Sequence, residues 1–408
     1  MFMNYQFRDI FGDMVTYKCF FNHANGSRLC YNNNMSNLID YVAWRGDIDF
    51  DYDPLNEIDS MIFCQLSYLD FGGLVPEDGR ISLENCSKLF FESSDFEKRK
   101  NLGALINPLT VDLFRVCASS RRFSSLSLSN FRNIMNEKTE EQFSAISFSF
   151  GCKWTYAAFR GTDDTLVGWK EDFNLAFMDS LPSQKDAALY LDETAESSNP
   201  VLYVGGHSKG GNLAVYAASK CSRKNQDKIS LVFSNDGPGF QKKFFEESGF
   251  MNVSSKIRSI VPEFSVVGML FGHDYENTHS VKSDGEGLMQ HDAFNWNILG
   301  THFVYVDDVN KESKFVSKTV NGWFLELDYD QRYVFVETIF SVLRGTNFKT
   351  ALEFSENPFE SFLKIVQSSS KIDRETSDKV TNAIKLLGQH AFRNIRDRIF
   401  TPEQLPQN

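Results

Sequence analysis

No stretch of this sequence is apolar for long enough to cross a bilayer. The longest run, Val261 to Gly272, is interrupted by Glu263 and falls short of the roughly 20 residues that a helical span needs. Cationic excess is missing too. The formal net charge is -12, with 42 Lys and Arg against 54 Asp and Glu, which argues against sequence-independent nucleic-acid binding and disfavours anionic membrane surfaces. Met1 to Ile10 lacks a basic segment followed by an apolar one, so no secretory signal is read and a soluble, cytoplasmic chain is expected. Cys-x-x-Cys spacing is absent, and the seven cysteines are scattered and odd in number, the pattern of reduced thiols. Cys19, His23 and Cys30 lack a fourth ligand at tetrahedral spacing, so no metal is expected, and no cofactor.

What is abundant is phenylalanine, 39 of 408 residues, which we read as ordinary aromatic core packing. A chain of this length allows one large decorated domain or two to three smaller ones. Residues 1–35 mix aromatics with Asn and Gly and suit an irregular arm or hairpin. Helices are expected around Asn37 to Val42 and over Leu55 to Leu69, where Leu55, Ile58, Ile62, Leu66 and Leu69 keep an amphipathic spacing. Residues 79–140 carry further helical patterns, broken at Gly79, Gly103 and Pro108, which predict a helical cap before a sheet. From Phe143 to Phe150 and from Trp154 to Phe159 apolar and small polar residues alternate, as in a hairpin. A helix near Ser183 to Glu196 and strands at Val201 to Gly206, Ile229 to Phe233 and Ile257 to Val261 follow, with a helix from Gly211 to Lys220. That alternation predicts an α/β fold with a mainly parallel sheet flanked by helices over residues 36–305. Residues 306–408 read as a mainly helical extension packed on that domain, with a hairpin near Trp323 and helices near 330–343, 357–368 and 375–398. Its basic last helix, with Arg393, Arg396 and Arg398, reads as a solvated face.

Chemistry concentrates at Gly206-His207-Ser208-Lys209-Gly210, which joins an expected strand to an expected helix. A turn this tight brings the backbone two residues either side of Ser208 against its neighbours, which favours glycine at both places. It would lift the serine hydroxyl from the carboxyl edge of the sheet, with the Lys209 N–H facing a developing oxyanion. About 45 residues upstream stands Phe159-Arg160-Gly161-Thr162-Asp163-Asp164, followed by Trp169, Glu171 and Asp172. Asp163, Asp164, Glu171 and Asp172 read as solvated loop charges.

Together the two segments resemble the class 3, fungal-type lipases, whose oxyanion loop reads Phe-Arg-Gly-Thr or Ser. The match is closer still to a bacterial branch of lipase-like proteins that brings no known substrate. It shares the stretches around Thr162, Ser208, Gly237-Pro238-Gly239-Phe240 and Gln290-His291-Asp292, over roughly residues 35–300. The resemblance implies an α/β-hydrolase with Ser208 as nucleophile, His291 as base and Thr162 as second oxyanion donor beside Lys209. His207 is excluded as base by its place beside Ser208, while His273, His279 and His302 lack the matching context. The acid departs from the pattern. The lipases place Asp before an Ile-Val-Pro stretch, where this chain has Ser259, so Asp236 or Glu263 takes its role or no acid does. The expected activity is hydrolysis of an ester, of a lipid or another small acyl compound. A non-catalytic scaffold and an acyltransferase on the same machinery are the alternatives.

Overall fold

The computed structural model describes residues 37–332, apart from 104–105, 164, 176–177, 179, 198, 273–274 and 329, together with the backbone of three earlier strands. Those strands, β1 (Phe2–Arg8), β2 (Met14–Phe21) and β3 (Arg28–Asn32), form an antiparallel sheet. Within the span expected to be an irregular arm or hairpin, the described residues thus pair as antiparallel strands. Aromatic residues recur along all three strands, and the Asn and Gly of residues 22–26 fall in sequence between β2 and β3. His23 and the helices expected beyond residue 332 lie outside the described residues.

Next come α1 (Leu38–Arg45), α2 (Glu57–Leu66), β4 (Ile81–Ser82), α3 (Leu83–Glu92), α4 (Phe96–Arg99) and α5 (Leu109–Ser119). Asn37 and Asn56 open α1 and α2 with capping boxes closed by Asp40 and Asp59. The helices are not a cap standing before the sheet. Ile58, Met61, Ile62, Leu66 and Phe114 share one buried cluster with the sheet residues Ile146, Phe148 and Tyr156. They form one of the two helical layers. Helix α2 is accordingly buried from Ile58 through Leu66 rather than amphipathic. Edge-to-face rings account for much of the phenylalanine: Phe63 meets Phe123 at 5.9 Å and Phe71 meets Phe114 at 5.5 Å.

After the short β4, the long strands of the sheet begin with β5 (Ser127–Asn136), where a helical pattern was expected, then β6 (Glu141–Phe150) and β7 (Trp154–Phe159). After α6 (Leu166–Asn174) and α7 (Pro182–Ser197) come β8 (Val201–His207), α8 (Lys209–Lys220), α9 (Arg223–Lys228) and β9 (Ile229–Asn235). The chain continues through α10 (Lys242–Phe245), α11 (Ser248–Val253), β10 (Ile257–Pro262), β11 (Thr278–Val281), β12 (Ile298–Leu299), β13 (His302–Phe303), β14 (Tyr305–Val306) and α12 (Lys311–Glu326). One nine-stranded sheet runs β14-β11-β10-β9-β8-β7-β6-β5-β4. Its centre, β7 to β11, is parallel, and antiparallel pairs extend it at both edges. The α/β class with a parallel, two-sided core is therefore as expected. The second face packs Phe159, Val204 and Val232 against Ala187, Leu191, Leu213 and Val215 from α7 and α8.

The hairpin expected near Trp323 is instead the interior of α12. Asn321, next to Gly322, accepts from Phe271 N at 2.9 Å and donates to Met269 O at 2.9 Å, so contacts with a neighbouring loop spend the side chain that would otherwise favour a turn. Among the described residues no helix is long and apolar enough to cross a membrane.

Candidate active site

Strand β8 lies mid-sheet between β7 and β9 and ends on Ser208, whose φ of 58° and ψ of -133° are unusual for a residue with a Cβ. Such strain persists only where the surroundings over-determine it. Here Ser208 N donates to Asn235 O at 2.9 Å, and the flanking glycines allow contacts that a side chain would forbid. A Cβ on Gly206 would stand 2.1 Å from Gly210 C, and one on Gly210 would stand 2.2 Å from Phe159 O. Ser208 therefore sits at the carboxyl edge of the parallel strands, partly exposed, with α8 beginning at the next residue.

Asp236 follows β9 directly and is fully buried with a φ of 48°. Its Oδ2 accepts from His291 Nδ1 at 2.6 Å, while Oδ1 accepts from Ser265 Oγ at 2.5 Å and Gly268 N at 3.1 Å. In a neutral ring that donation leaves His291 Nε2 as the acceptor nitrogen. Glu263, the rival acid, is engaged through its backbone: its N donates to Val281 O and its O accepts from Asn310 N. Ser259 is buried in mid-strand, paired with Ser234 and Thr278 in the strands beside it. The carboxylate that meets His291 thus stands one strand earlier than in the lipase pattern.

The rings of His207 and His291 lie 4.6 Å apart. His207 Nε2–H donates to His291 O at 2.8 Å, which leaves Nδ1 to accept from the Tyr68 hydroxyl at 3.3 Å. Burial, and next the charge of His291, drives His207 down to about 3, so it stays neutral. Neither Tyr68 nor this role of His207 was readable from spacing, because the partners are 139 residues apart. His279 and His302 pack on Tyr305 instead, and His273 is outside the described residues.

The upstream loop lies directly on the elbow: a Cβ on Gly161 would be 2.7 Å from His207 O and 3.1 Å from Ser208 Cβ. Next to Gly161, Thr162 donates its hydroxyl to Asp172 Oδ2 at 2.5 Å. Lys209 opens α8, its amide among those at a helix start that lack an intrahelical acceptor. Two of the charges expected in solvent are not there. Glu171 is fully buried against the Lys209 ammonium at 2.9 Å. Asp172 has a buried Oδ1 without a hydrogen-bond partner among the described residues, and burial pushes its carboxyl up from 3.8 to about 6.

That shift fixes the sign of a stability effect. The folded state holds the Asp172 proton more tightly than the unfolded chain, so the contribution is full below about pH 4 and is lost as pH rises through 6. At about 1.4 kcal/mol per unit, Asp172→Asn should gain up to about 3 kcal/mol on wild type between pH 4 and pH 8. Urea unfolding at the two pH values measures it, and a pH-independent difference would refute it.

Thr162, Ser208, Asp236 and His291 all fall within residues 117–341, the span matched by the Mbeg1-like family model, which is more than half of the chain. No curated protein matches. Among solved structures, M37 lipase is 15% identical over 52% of this chain and 68% of its own, with a TM-score of 0.32. A Rhizomucor miehei lipase in complex with its propeptide is 18% identical over 39% and 57%, with a TM-score of 0.27. A triacylglycerol lipase from Penicillium expansum is 12% identical over 46% and 76%, with a TM-score of 0.28. By its family match, the chain belongs to the Mbeg1-like family.

Proposed function

We propose that the protein is a serine hydrolase that cleaves an ester of a lipid or another small acyl compound through an acyl-enzyme. The observation that carries this reading is the pairing of a strained Ser208 at the end of β8 with a His291–Asp236 couple at the same edge of the sheet. Ser208 Oγ attacks the acyl carbon and its proton passes to His291 Nε2. Asp236 holds the ring through Nδ1–H and stabilises its charged form. The carbonyl oxygen becomes an oxyanion and takes hydrogen bonds from the Lys209 and Thr162 amides. Collapse expels the alcohol, which leaves with the proton from His291. Water then attacks the acyl-enzyme by the same route, returning Ser208 and releasing the acid.

The scaffold alternative drew its support from the missing acid at Ser259, and the contact of Asp236 with His291 at 2.6 Å favours the enzyme reading over it. An acyltransferase would share every step up to the acyl-enzyme and differ only in the acceptor. A fluorophosphonate probe is expected to label wild type and not Ser208→Ala, and hydrolysis of a short-chain p-nitrophenyl ester should vanish with the label. An unlabelled wild type, or equal labelling of both proteins, would refute the reading.

A further inference from the structure

We propose that the Lys209 side chain is a positioning residue that fixes the distance between the two oxyanion donors. The inference rests on the hydrolase reading and adds to it a role for a buried ion pair.

The two donors belong to different parts of the fold, the Lys209 amide to the start of α8 and Thr162 to the loop before α6. A hole built from two loops works only if their separation is held, since an error of about 1 Å can cost 10²-fold in rate. The Lys209 side chain is 1% exposed and Glu171 is 0% exposed. The ammonium has three protons and three acceptors, Gln142 O at 2.8 Å, Gln142 Oε1 at 3.0 Å and Glu171 Oε2 at 2.9 Å. Glu171 in turn accepts from Gln142 N at 3.1 Å and Ser183 N at 3.2 Å. One buried charge pair therefore ties together α8, β6, α6 and the start of α7. The residue after Glu171 is Asp172, which holds the Thr162 hydroxyl. Behind them a Cβ on Gly168 would be 2.4 Å from Gln142 Oε1 and 2.9 Å from Thr162 Cγ2, so α6 packs tightly on both. A short circuit of contacts thus runs from one donor residue to the other.

Stability alone gives little reason to keep the pair. A buried ion pair is often replaced by uncharged groups at no cost to the fold, whereas removing one partner strands a charge. The two roles therefore separate in the double variant Lys209→Met with Glu171→Gln, which strands no charge. Wild type and the double variant are compared in ester turnover and thermal unfolding. The expected result is a melting point within a few degrees of wild type, kcat lower by about 10- to 100-fold, and KM within about twofold. A double variant with wild-type kcat overturns the proposal, as does a loss of kcat matched by a large loss of melting temperature. If wild type neither turns over ester nor takes the phosphonate label, the hydrolase reading fails first and the proposal falls with it.

Discussion

Asp236→Asn is expected to lower kcat by about 10⁴-fold, the scale seen when a triad acid is replaced by its amide with geometry intact. The direction follows from the partners of the two carboxylate oxygens. Oδ1 accepts from both Ser265 Oγ and Gly268 N, so the amide oxygen of Asn must take that place. Its NH₂ group then faces His291 Nδ1, where Oδ2 now accepts at 2.6 Å. A donor facing Nδ1 forces the proton onto Nε2, and the ring can no longer take a proton from Ser208. The fold retains its hydrogen bonds, so the melting point should change little. Glu263→Gln is the control and should leave kcat within about twofold. A large loss in that variant, or a small one in Asp236→Asn, would reassign the acid. Nitrogen NMR of the His291 ring would report the tautomer directly.

How much of the fold was legible depended on whether local period and tertiary environment agreed. In β6 and β7 and in the strands from β8 to β10 they did, and the expected limits lie within two residues of those observed. They disagreed in β5. Its period of two is broken by a register shift between Ser129 and Arg132, where Asn130 takes a φ of 51°. A bulge reverses the side-chain alternation and hides a strand inside an apparent helical pattern. Helix α2 shows the opposite failure. Its spacing suggested one wet face, but the sheet covers one side and α5 the other, so Asp59, Ser60 and Gln65 are buried.

In the site, Ser208 was marked by two glycines whose need is purely local, a close approach of backbone to backbone. Asp236 and His291 were legible as candidates through their place after a strand and in a matched motif, but that Asp236 meets His291 is seen only in the folded chain. Charges misled most. A carboxylate in a sequence reads as solvated, because nothing local announces that Lys209, 38 residues on, folds back to cover Glu171.

Asp59→Ala carries the largest expected effect on stability, a loss of about 3 to 5 kcal/mol, because it leaves the Arg122 charge buried alone. Asp59 and Arg122 are both 0% exposed. The guanidinium grips the carboxylate with two bonds, Nε to Oδ1 at 2.8 Å and Nη2 to Oδ2 at 2.5 Å. Its other N–H groups reach the carbonyls of Ile48, Asp53 and Pro54, and its face lies 4.0 Å from the Phe50 ring. Asp59 also accepts from the Tyr41 hydroxyl and from Asn56 N, so the same carboxylate closes the cap of α2. The pair thus joins α1, α2 and the loop before β5 into the layer that covers one face of the sheet. Urea unfolding of Asp59→Ala and of a double variant with Arg122→Met separates charge from packing. The double variant should recover a large part of the loss, since no lone charge remains. A single variant within about 1 kcal/mol of wild type would show that water reaches Arg122, and the argument for a dry pair would fail. None of the partners named here belongs to the Ser208 edge, so whatever ester turnover wild type has should survive in the folded fraction of either variant. A variant of Lys209 and Glu171 should instead stay folded and lose rate, and that difference identifies which of the two buried pairs serves the chemistry.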